Sequence, residues 1–324
     1  SSSANGSYKI GDTITIQVTF SEAVNVTGTP KLVLETGAVD HAATYSSGSG
    51  TNTLVFQYTV QAGDTSSDLD VTGTGALQLN GGGIADAAGN AAVLALPAPG
   101  AAGSLGANKA IVVDGLAPTD LALSNASVTT LDGAHALVGL LSSLDATSGD
   151  SFTYSLVSGT GSTDNAAFEI VGQSLKAIDA SGMLEGVKSV RVRTTDAVGN
   201  SYEKVLSITV NTPPTVSISS DKTTVKAGDT AAITFHFSSV PSGFDLGDVS
   251  VAGGTLGSLA VDQNDAKVYH ATFTPTAGVQ NLGGAISVGA GKFVGANGLG
   301  NVASTTNVAI GGDTALPAVT GVTS

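Results

Sequence analysis

The sequence predicts an all-β fold, with three tandem β-sandwich domains in an elongated array. The composition supports this, because glycine is frequent (43 of 324 residues) and charged residues make up only 12%. Helical proteins carry more Leu, Glu, Lys and Arg. In addition, short stretches of alternating apolar and polar residues are separated by turn-forming residues. A pattern from the start of the chain also recurs about two domain lengths later, which indicates a tandem array.

The first predicted domain covers residues 1–115. Lys9-Ile10-Gly11-Asp12 is typical of a turn, and the alternation that follows it predicts a half-buried strand over 13–20. The further predicted strands are 31–35, 42–45, 53–60, 76–79 and 110–114. The Ala/Gly/Pro-rich stretch 91–108 predicts a long loop. Gly115 and Pro118 mark the boundary, because these residues interrupt strands.

The second predicted domain covers 116–211 and ends before Pro213-Pro214, a stiffer connection. Its predicted strands are 121–123, 135–141, 151–157, 167–171, 174–178, 187–194 and 202–210. The third domain covers 212–314, and 315–324 is interpreted as the start of a following repeat. The internal repeat relates Lys9–Ser21 to Lys226–Ser238, with Lys, Gly, Asp, Thr, Ile, Phe and Ser at identical spacing. Asp114 then aligns with Asp313, and Pro118 with Pro317.

The formal charge of −14 argues against nucleic acid and against an anionic membrane surface as partners. It suits a chain that collects cations, although acidic surfaces also serve solubility. The sequence has no Cys and no apolar run long enough to cross a membrane, and its first residues lack the basic-then-apolar pattern of a signal peptide. Both ends of the chain resemble inter-domain segments, so we expect a piece of a longer protein. We also expect a monomer without direct membrane insertion.

Signatures of enzymes are poor. The four histidines, His41, His135, His236 and His270, lack metal-binding spacing, and none lies near a nucleophile motif. No helix is predicted after Gly81-Gly82-Gly83 to complete a phosphate site. Aromatic residues make up 5% and Trp is missing, so a sugar-stacking platform is poorly supported. We expect no enzymatic activity.

A loop pattern, Asp-x-x-Gly-Asn, occurs at Asp86–Asn90 and at Asp196–Asn200, with a degenerate copy at Asn297–Asn301. Gly supplies a positive φ and Asx side chains bond their own backbone, so the pattern suits a tight turn. The same residues offer the hard oxygen ligands that Ca²⁺ prefers. Sequence spacing alone leaves both interpretations open.

In an immunoglobulin-like sandwich, the entering chain, the loop after the second strand and the loop before the last strand lie at one pole. In the second domain these segments carry five carboxylates, namely Asp114, Asp120, Asp145, Asp150 and Asp196. Unpaired carboxylates at one place repel each other, and a divalent cation with roughly six to eight oxygen ligands resolves the conflict. The sequence thus predicts a Ca²⁺ site here. The alternative is scattered turn aspartates on a solvated surface.

The same placement predicts a second site at Glu22 and Asp86, completed by whatever domain precedes residue 1. In the third domain the equivalents are Ser239 and Asn297, and the linker acid is replaced by Asn211 or Thr212. We therefore predict no strongly bound Ca²⁺ between the second and third domains. Rigidity there is expected from Pro213-Pro214 and direct packing.

The second domain resembles a bacterial cadherin-like repeat through Leu144-Asp145-Ala146, Gly149–Leu156 and Arg191–Asn200. This resemblance implies inter-domain Ca²⁺ binding by Asp114, Asp145 and Asp196, with Thr147 in place of a second acid. The first and third domains resemble bacterial Ig-like repeats of very large secreted adhesins, through Phe20–Val24 and Asp86–Asn90. Such proteins are similar to type I secreted, RTX-type adhesins at the cell surface.

The resulting hypothesis is a non-enzymatic extender, or stalk, of a calcium-dependent bacterial surface adhesin. Its partners would be neighbouring repeats of the same long chain, while other domains would contact any host or biofilm glycan or protein. Two alternatives stay open. The chain could be a glycan- or protein-binding module, or it could supply accessory β-domains to a secreted hydrolase or surface-layer protein.

Overall fold

The computed structural model describes residues 1–147 and 149–323. The chain divides into two compact units. The first unit comprises 1–126, 137–176 and 188–208, and the second comprises 127–136, 177–187 and 209–324. Among the described residues, no sheet shares a strand across Asp114–Asp120 or across Asn211–Val216. We therefore call the strands before, between and after these connections the first, second and third sandwich.

The first sandwich contains β1 (Gly6–Lys9), β2 (Thr13–Thr27), β3 (Lys31–Leu34), β4 (His41–Ser47), β5 (Thr51–Thr59), β6 (Thr65–Ser66), β7 (Leu77–Gln78), β8 (Gly83–Ala85), the helix α1 (Leu105–Asn108) and β9 (Ile111–Asp114). The strands form a six-stranded sheet, β7-β3-β4-β5-β2-β8, and a three-stranded sheet, β1-β9-β6. Their apolar faces enclose one core in which Ile14, Phe56 and Ile111 have no exposed surface. This matches the predicted alternation of 13–20.

The second sandwich contains β10 (Asp120–Leu123), β11 (Ser127–Thr129), β12 (Ala134–Leu144), β13 (Thr153–Leu156), β14 (Phe168–Val171), β15 (Ser174–Asp179), β16 (Gly186–Thr195) and β17 (Ser201–Asn211), with 3-10 turns at Asn165–Ala167 and Ala180–Gly182. The sheets are β10-β12-β15-β14 and β11-β17-β16-β13. Leu121, Leu141, Val190 and Val192 are among its fully or almost fully buried side chains.

The third sandwich contains β18 (Val216–Ser220), β19 (Thr224–Lys226), β20 (Ala231–Phe237), β21 (Val249–Ala252), β22 (Gly254–Leu256), β23 (Ala260–Val261), β24 (Val268–Pro275), β25 (Leu282–Val288) and β26 (Val308–Asp313), with a 3-10 turn at Leu246–Asp248. The sheets are β18-β20-β24-β22, with β23 beside β24, and β19-β26-β25-β21. Its core holds edge-to-face aromatic pairs, such as Phe237 with Phe293 at 4.9 Å between ring centroids.

All-β architecture is thus confirmed, and most predicted strands are present. β2 is longer than expected because it continues past an irregularity between Thr19 and Val24, so Glu22 lies within this strand and not in a loop. β1 was missed. It has only four residues and is held by parallel pairing with β9, a long-range contact that local periodicity does not encode.

The predicted loop 91–108 carries a short helix and is fastened by Asp70, an 8% exposed side chain. The Asp70 carboxylate accepts the N–H groups of Val71 (2.8 Å), Gly100 (3.0 Å) and Leu105 (3.2 Å). Burial opposes ionisation, but hydrogen bonds from Gly100, Val71 and Ser104 prevail and lower the pKa of Asp70. A buried carboxylate therefore replaces regular structure in organising this segment.

Candidate metal site

Asp114 lies at the end of β9, where parallel pairing with β1 puts it opposite Lys9. Its side chain is only 7% exposed. One carboxylate oxygen, Oδ1, accepts the N–H of Leu116 at 3.1 Å, which fixes the side chain against the connection to the second sandwich. The linker carboxylate is thus held in place by the backbone around it.

The loop Asp196–Asn200 joins β16 to β17 and folds around its own acid. Asp196 Oδ1 accepts three backbone N–H groups, from Val198 (3.0 Å), Gly199 (2.6 Å) and Asn200 (2.8 Å). Asn200 Nδ2 donates to the other oxygen, Oδ2, at 2.9 Å. The turn interpretation is therefore confirmed. The ligand interpretation stays a prediction, and it is compatible with the turn because the second oxygen keeps a lone pair available.

Carboxylates from three segments converge at this loop. One oxygen each of Asp114, Asp150 and Asp196 lies within 4.8 Å of the others, and no other such group of His or acidic side chains occurs in the described residues. Oδ2 of Asp150 and Oδ2 of Asp145 are both buried without a hydrogen-bond partner. Their other oxygens accept the N–H groups of Ser151 (3.1 Å) and Thr147 (2.8 Å). We call these four aspartates the acidic cluster.

The electrostatics of the acidic cluster are unfavourable without a counter-charge. Burial raises the pKa of Asp114, the Leu116 N–H opposes this, and the carboxylates of Asp196, Asp150 and Asp145 raise it further. In the part of the chain that the structure describes, none of the four forms an ion pair with a basic side chain. Orphaned buried oxygens and hard ligands are what a Ca²⁺ ion would satisfy, so the residues fit this ion.

The other predicted ligands lie elsewhere. Asp120 is half exposed and pairs with Lys204 at 2.7 Å, which lowers the pKa of Asp120 and engages its carboxylate outside the acidic cluster. Glu22 is exposed on β2. Asp86 binds Asn90, whose side-chain and backbone N–H groups lower the pKa of Asp86. Glu22 and Asp86 belong to no three-residue acidic group among the described residues, and their metal binding stays a prediction.

Asn200 has a role that the sequence did not reveal. Its Oδ1 accepts the N–H of Ile10 at 3.0 Å, and its Nδ2 donates to the carbonyl of Asp114 at 3.0 Å. In the parallel ladder of β1 and β9, the Ile10 N–H would otherwise bond that carbonyl directly, as Gly6 N–H bonds Ala110. The Asn200 amide is therefore inserted into the end of the ladder and ties the second sandwich to the first.

A buried hydrogen-bond network around Asp64 lies beside the linker. Asp64, 2% exposed, accepts hydrogen bonds from Tyr58 and from the N–H of Gln61, and lies 2.8 Å from His41 Nδ1. Burial and the bond to Asp64 raise the pKa of Tyr58. The same loop pairs with Gly115, whose N–H donates to the Asp64 carbonyl at 2.6 Å.

Gly115 owes its identity to this contact. A Cβ there would lie 2.3 Å from the carbonyl oxygen of Gln61, a distance that side chains do not tolerate. The sequence showed only a linker glycine. Spacing gave no signal for the Asp64 network, because its members touch only after the sheets form.

The third loop copy is displaced from the position expected. Asp86 N–H bonds the Asn90 carbonyl and Asp196 N–H bonds the Asn200 carbonyl, and the corresponding bond in the third sandwich joins Gly295 to Leu299. The equivalent of Asp86 is therefore Gly295, not Asn297. The degenerate motif matched by eye, whereas hydrogen bonding fixes the register two residues earlier.

The connection between the second and third sandwiches is correspondingly different. Thr130 N–H bonds the carbonyl of Asn211 directly at 3.0 Å, without an inserted side chain. Asn297 Nδ2 donates to the Thr212 carbonyl (2.9 Å) and to Glu185 Oε1 (3.1 Å). An amide thus contacts the linker where the first connection has carboxylates.

Comparison with known proteins gives one match to a family model, over part of the chain. Residues 210–310 match the bacterial Ig-like domain. The match covers the end of β17, the linker after it and the third sandwich up to Ile310 in β26. A sequence search of curated proteins gave no match.

Solved structures that match the chain at low identity include two cadherin ectodomains and a bacterial adhesin. The human desmocollin-1 ectodomain is 10% identical, with 87% of this chain and 55% of that chain covered and a TM-score of 0.31. Domains 3–6 of protocadherin gamma B2 are 14% identical over 60% and 47%, with a TM-score of 0.32. The Escherichia coli adhesin FdeC is 18% identical over 94% and 93%, with a TM-score of 0.31. The chain thus spans about half the length of the two cadherin chains.

Proposed function

We propose that this chain is a non-enzymatic extender segment of a bacterial cell-surface adhesin, and that Ca²⁺ stiffens the connection between its first and second sandwiches. The observation that carries the calcium part is the acidic cluster, with two buried carboxylate oxygens that lack hydrogen-bond partners. The bacterial Ig-like match and the repeated sandwiches support the extender part.

Asp114, Asp145, Asp150 and Asp196 would hold the ion. Ca²⁺ would supply positive charge among carboxylates that otherwise repel one another, and it would need them deprotonated. Asp114 lies on the linker, whereas the other three belong to loops of the second sandwich. Binding would therefore link the end of β9 to the second sandwich and restrict motion between them.

The connection after Asn211 is proposed to need no ion. Its linker residue is Asn211, the loop position of Asp196 is occupied by Gly295, and Asn297 already bonds the linker carbonyl. Pro213-Pro214 and these hydrogen bonds would set its stiffness. The domain limits 1–115, 116–211 and 212–314 remain our proposal for the repeat units.

An extender of this kind belongs outside the cell, where Ca²⁺ is plentiful. None of the helices in the described part of the chain has the length and hydropathy to traverse a bilayer. We propose that other domains of the parent protein contact the target of adhesion.

Small-angle scattering with calcium titration tests the proposal. Addition of Ca²⁺ after EDTA is expected to increase the maximum dimension and reduce flexibility of the wild type, and to leave Asp196→Ala unchanged. Glu203→Gln, which alters an acid bound by Arg191 and Arg193, is a matched control and should respond like the wild type. Identical scattering of the wild type in EDTA and in calcium would reject the stiffening role.

A further inference from the structure

The three sandwiches end in the same backbone pair, and each pair is in a different state. In each sandwich, two strands pair in parallel. The pair of groups consists of the N–H of the residue that follows the first of these strands and the C=O of the last residue of the second. We call it the terminal pair. In the first sandwich, the Asn200 amide is inserted between Ile10 N–H and Asp114 C=O. In the second sandwich, Thr130 N–H bonds Asn211 C=O directly.

In the third sandwich, the terminal pair is Ala227 N–H and Asp313 C=O, since β19 and β26 pair in parallel with Lys226 opposite Asp313. Within residues 1–147 and 149–323, neither group has a hydrogen-bond partner. The ladder is therefore open, as in the first sandwich, but no side chain fills it.

The surroundings of the open pair repeat those of the filled one. Lys226 N–H donates to Asp229 Oδ2 at 3.2 Å, as Lys9 N–H donates to Asp12 Oδ2 at 3.0 Å. Asp313 Oδ1 accepts the N–H of Ala315 at 2.9 Å, the same bond that Asp114 makes with Leu116. The difference is burial, because Asp313 is exposed whereas Asp114 is covered by the second sandwich.

The chain also contains a second loop like the one that carries Asn200, but this second loop fills no terminal pair in the described residues. At Asp86–Asn90, the Asn90 N–H donates to Asp86 Oδ1 at 2.8 Å and its Nδ2 to Oδ2 at 2.7 Å. The corresponding bonds of Asn200 measure 2.8 Å and 2.9 Å. Asn90 is exposed, whereas Asn200 is 4% exposed. The Asp86–Asn90 loop therefore already makes the internal bonds of the Asn200 loop. Its exposed Asn90 side chain is accessible for a contact like that of Asn200.

We propose that the end of the third sandwich is an interaction surface for a β-sandwich that carries an Asp-x-x-Gly-Asn loop, and that the Asp86–Asn90 loop of a second copy of this chain, placed in series, fits it. The Asn90 side chain of the following copy inserts between Ala227 N–H and Asp313 C=O. A cavity of about 550 Å³, lined by Ala227, Asp229, Pro275 and Thr314 among others, lies beside the pair and gives the incoming loop room. The tie uses backbone groups and an amide, so it goes beyond the calcium proposal and needs no ion.

Hydrogen exchange of the chain as it stands provides the first test. Ile10 and Thr130 amides are bonded and the Ala227 amide is not, so Ala227 should exchange roughly tenfold faster or more than either. Equal protection at Ala227 would show that the ladder is closed and would overturn the proposal.

A protein with two full copies in series, residue 324 followed directly by residue 1, provides the second test. A Thr224→Ser tag in the second copy separates the peptides by mass. In EDTA, the first copy's Ala227 is expected to be protected roughly tenfold or more relative to the second copy's, which has no following sandwich. Asn90→Ala in the second copy should remove this protection, whereas Asn90→Ala in the first copy should not.

Equal exchange of the two Ala227 amides, or protection that survives Asn90→Ala in the second copy, would refute the proposal. Because the measurement is made in EDTA, failure of the calcium proposal would leave its outcome unchanged. A tandem protein that gains protection only after Ca²⁺ addition would also count against the ion-free tie.

Discussion

Asp150→Asn should stabilise the chain without calcium and weaken its response to calcium. The substitution preserves shape and keeps an acceptor for the Ser151 N–H, so it removes little but charge. Asp150 faces Asp114 and Asp196 with ligand oxygens within 4.8 Å. At an effective dielectric constant of about 20, each such pair costs about 3.5 kcal/mol before screening.

Asp150 is only partly buried, so solvent and salt reduce this repulsion strongly. We expect a net gain of about 1–2 kcal/mol for Asp150→Asn in EDTA at low ionic strength, which corresponds to roughly 2–8 °C in the melting temperature. Calcium at about 100 times its dissociation constant should stabilise the wild type by about 2.7 kcal/mol. The variant should gain much less, so the order of stability reverses.

Differential scanning calorimetry in EDTA and in Ca²⁺ measures both effects. Asp120→Asn is the matched control, because it removes a similar charge that is already paired with Lys204. It should destabilise by no more than about 1 kcal/mol in either buffer. If Asp150→Asn is less stable than the wild type in EDTA, or if both gain equally from Ca²⁺, the repulsion argument is wrong.

Other perturbations test the remaining contacts. Asn200→Ala should lower the free energy of unfolding by about 1–2 kcal/mol, measured by chemical denaturation, because two hydrogen bonds of the amide are lost. The loss stays small because Ile10 N–H can then bond Asp114 C=O directly, as Thr130 N–H bonds Asn211 C=O. An unchanged stability would show that Asn200 does not join the two sandwiches. Gly115→Ala should cost about 1–3 kcal/mol through its clash with Gln61, and wild-type stability there would contradict the close approach. Asp70→Ala should lower the free energy of unfolding by about 1–3 kcal/mol and speed hydrogen exchange over 98–108. Unchanged exchange there would show that the segment keeps its structure without Asp70. The pKa of Asp114 is raised in the folded protein, so in EDTA the stability of the wild type should fall as the pH rises through that pKa. Asp114→Asn should not show this fall. A stability difference between the two proteins that is independent of pH would disprove the raised pKa.

The sequence was informative where local chemistry repeats. Alternation located β2 and β5, and the Lys9–Asp12 pattern correctly identified its copy at Lys226–Asp229, since in both turns the Lys N–H donates to the Asp carboxylate. Knowledge of sandwich topology brought Asp114, Asp150 and Asp196 together from three segments. Their types and order along the chain were enough for this step.

Features that depend on contacts between distant parts of the chain could not be predicted from the sequence. Asp120 looked like a ligand, but Lys204, distant in sequence, takes its carboxylate. The Asn200 amide fills a gap in a ladder formed by β1, a strand too short to be recognised from periodicity. The third loop was misaligned by two residues, because Asn-Gly-Leu-Gly-Asn mimics the motif while hydrogen bonding selects Gly295.

Crystals of the chain grown with Ca²⁺ provide the most direct test of the calcium site. We expect anomalous density enclosed by Asp114, Asp145, Asp150 and Asp196, with carboxylate oxygens at about 2.3–2.6 Å from the ion. The Asp150→Asn variant should lose or weaken that density. Fully occupied Ca²⁺ found only beside Asn211, Gly295 and Asn297, with none at the acidic cluster, would contradict it.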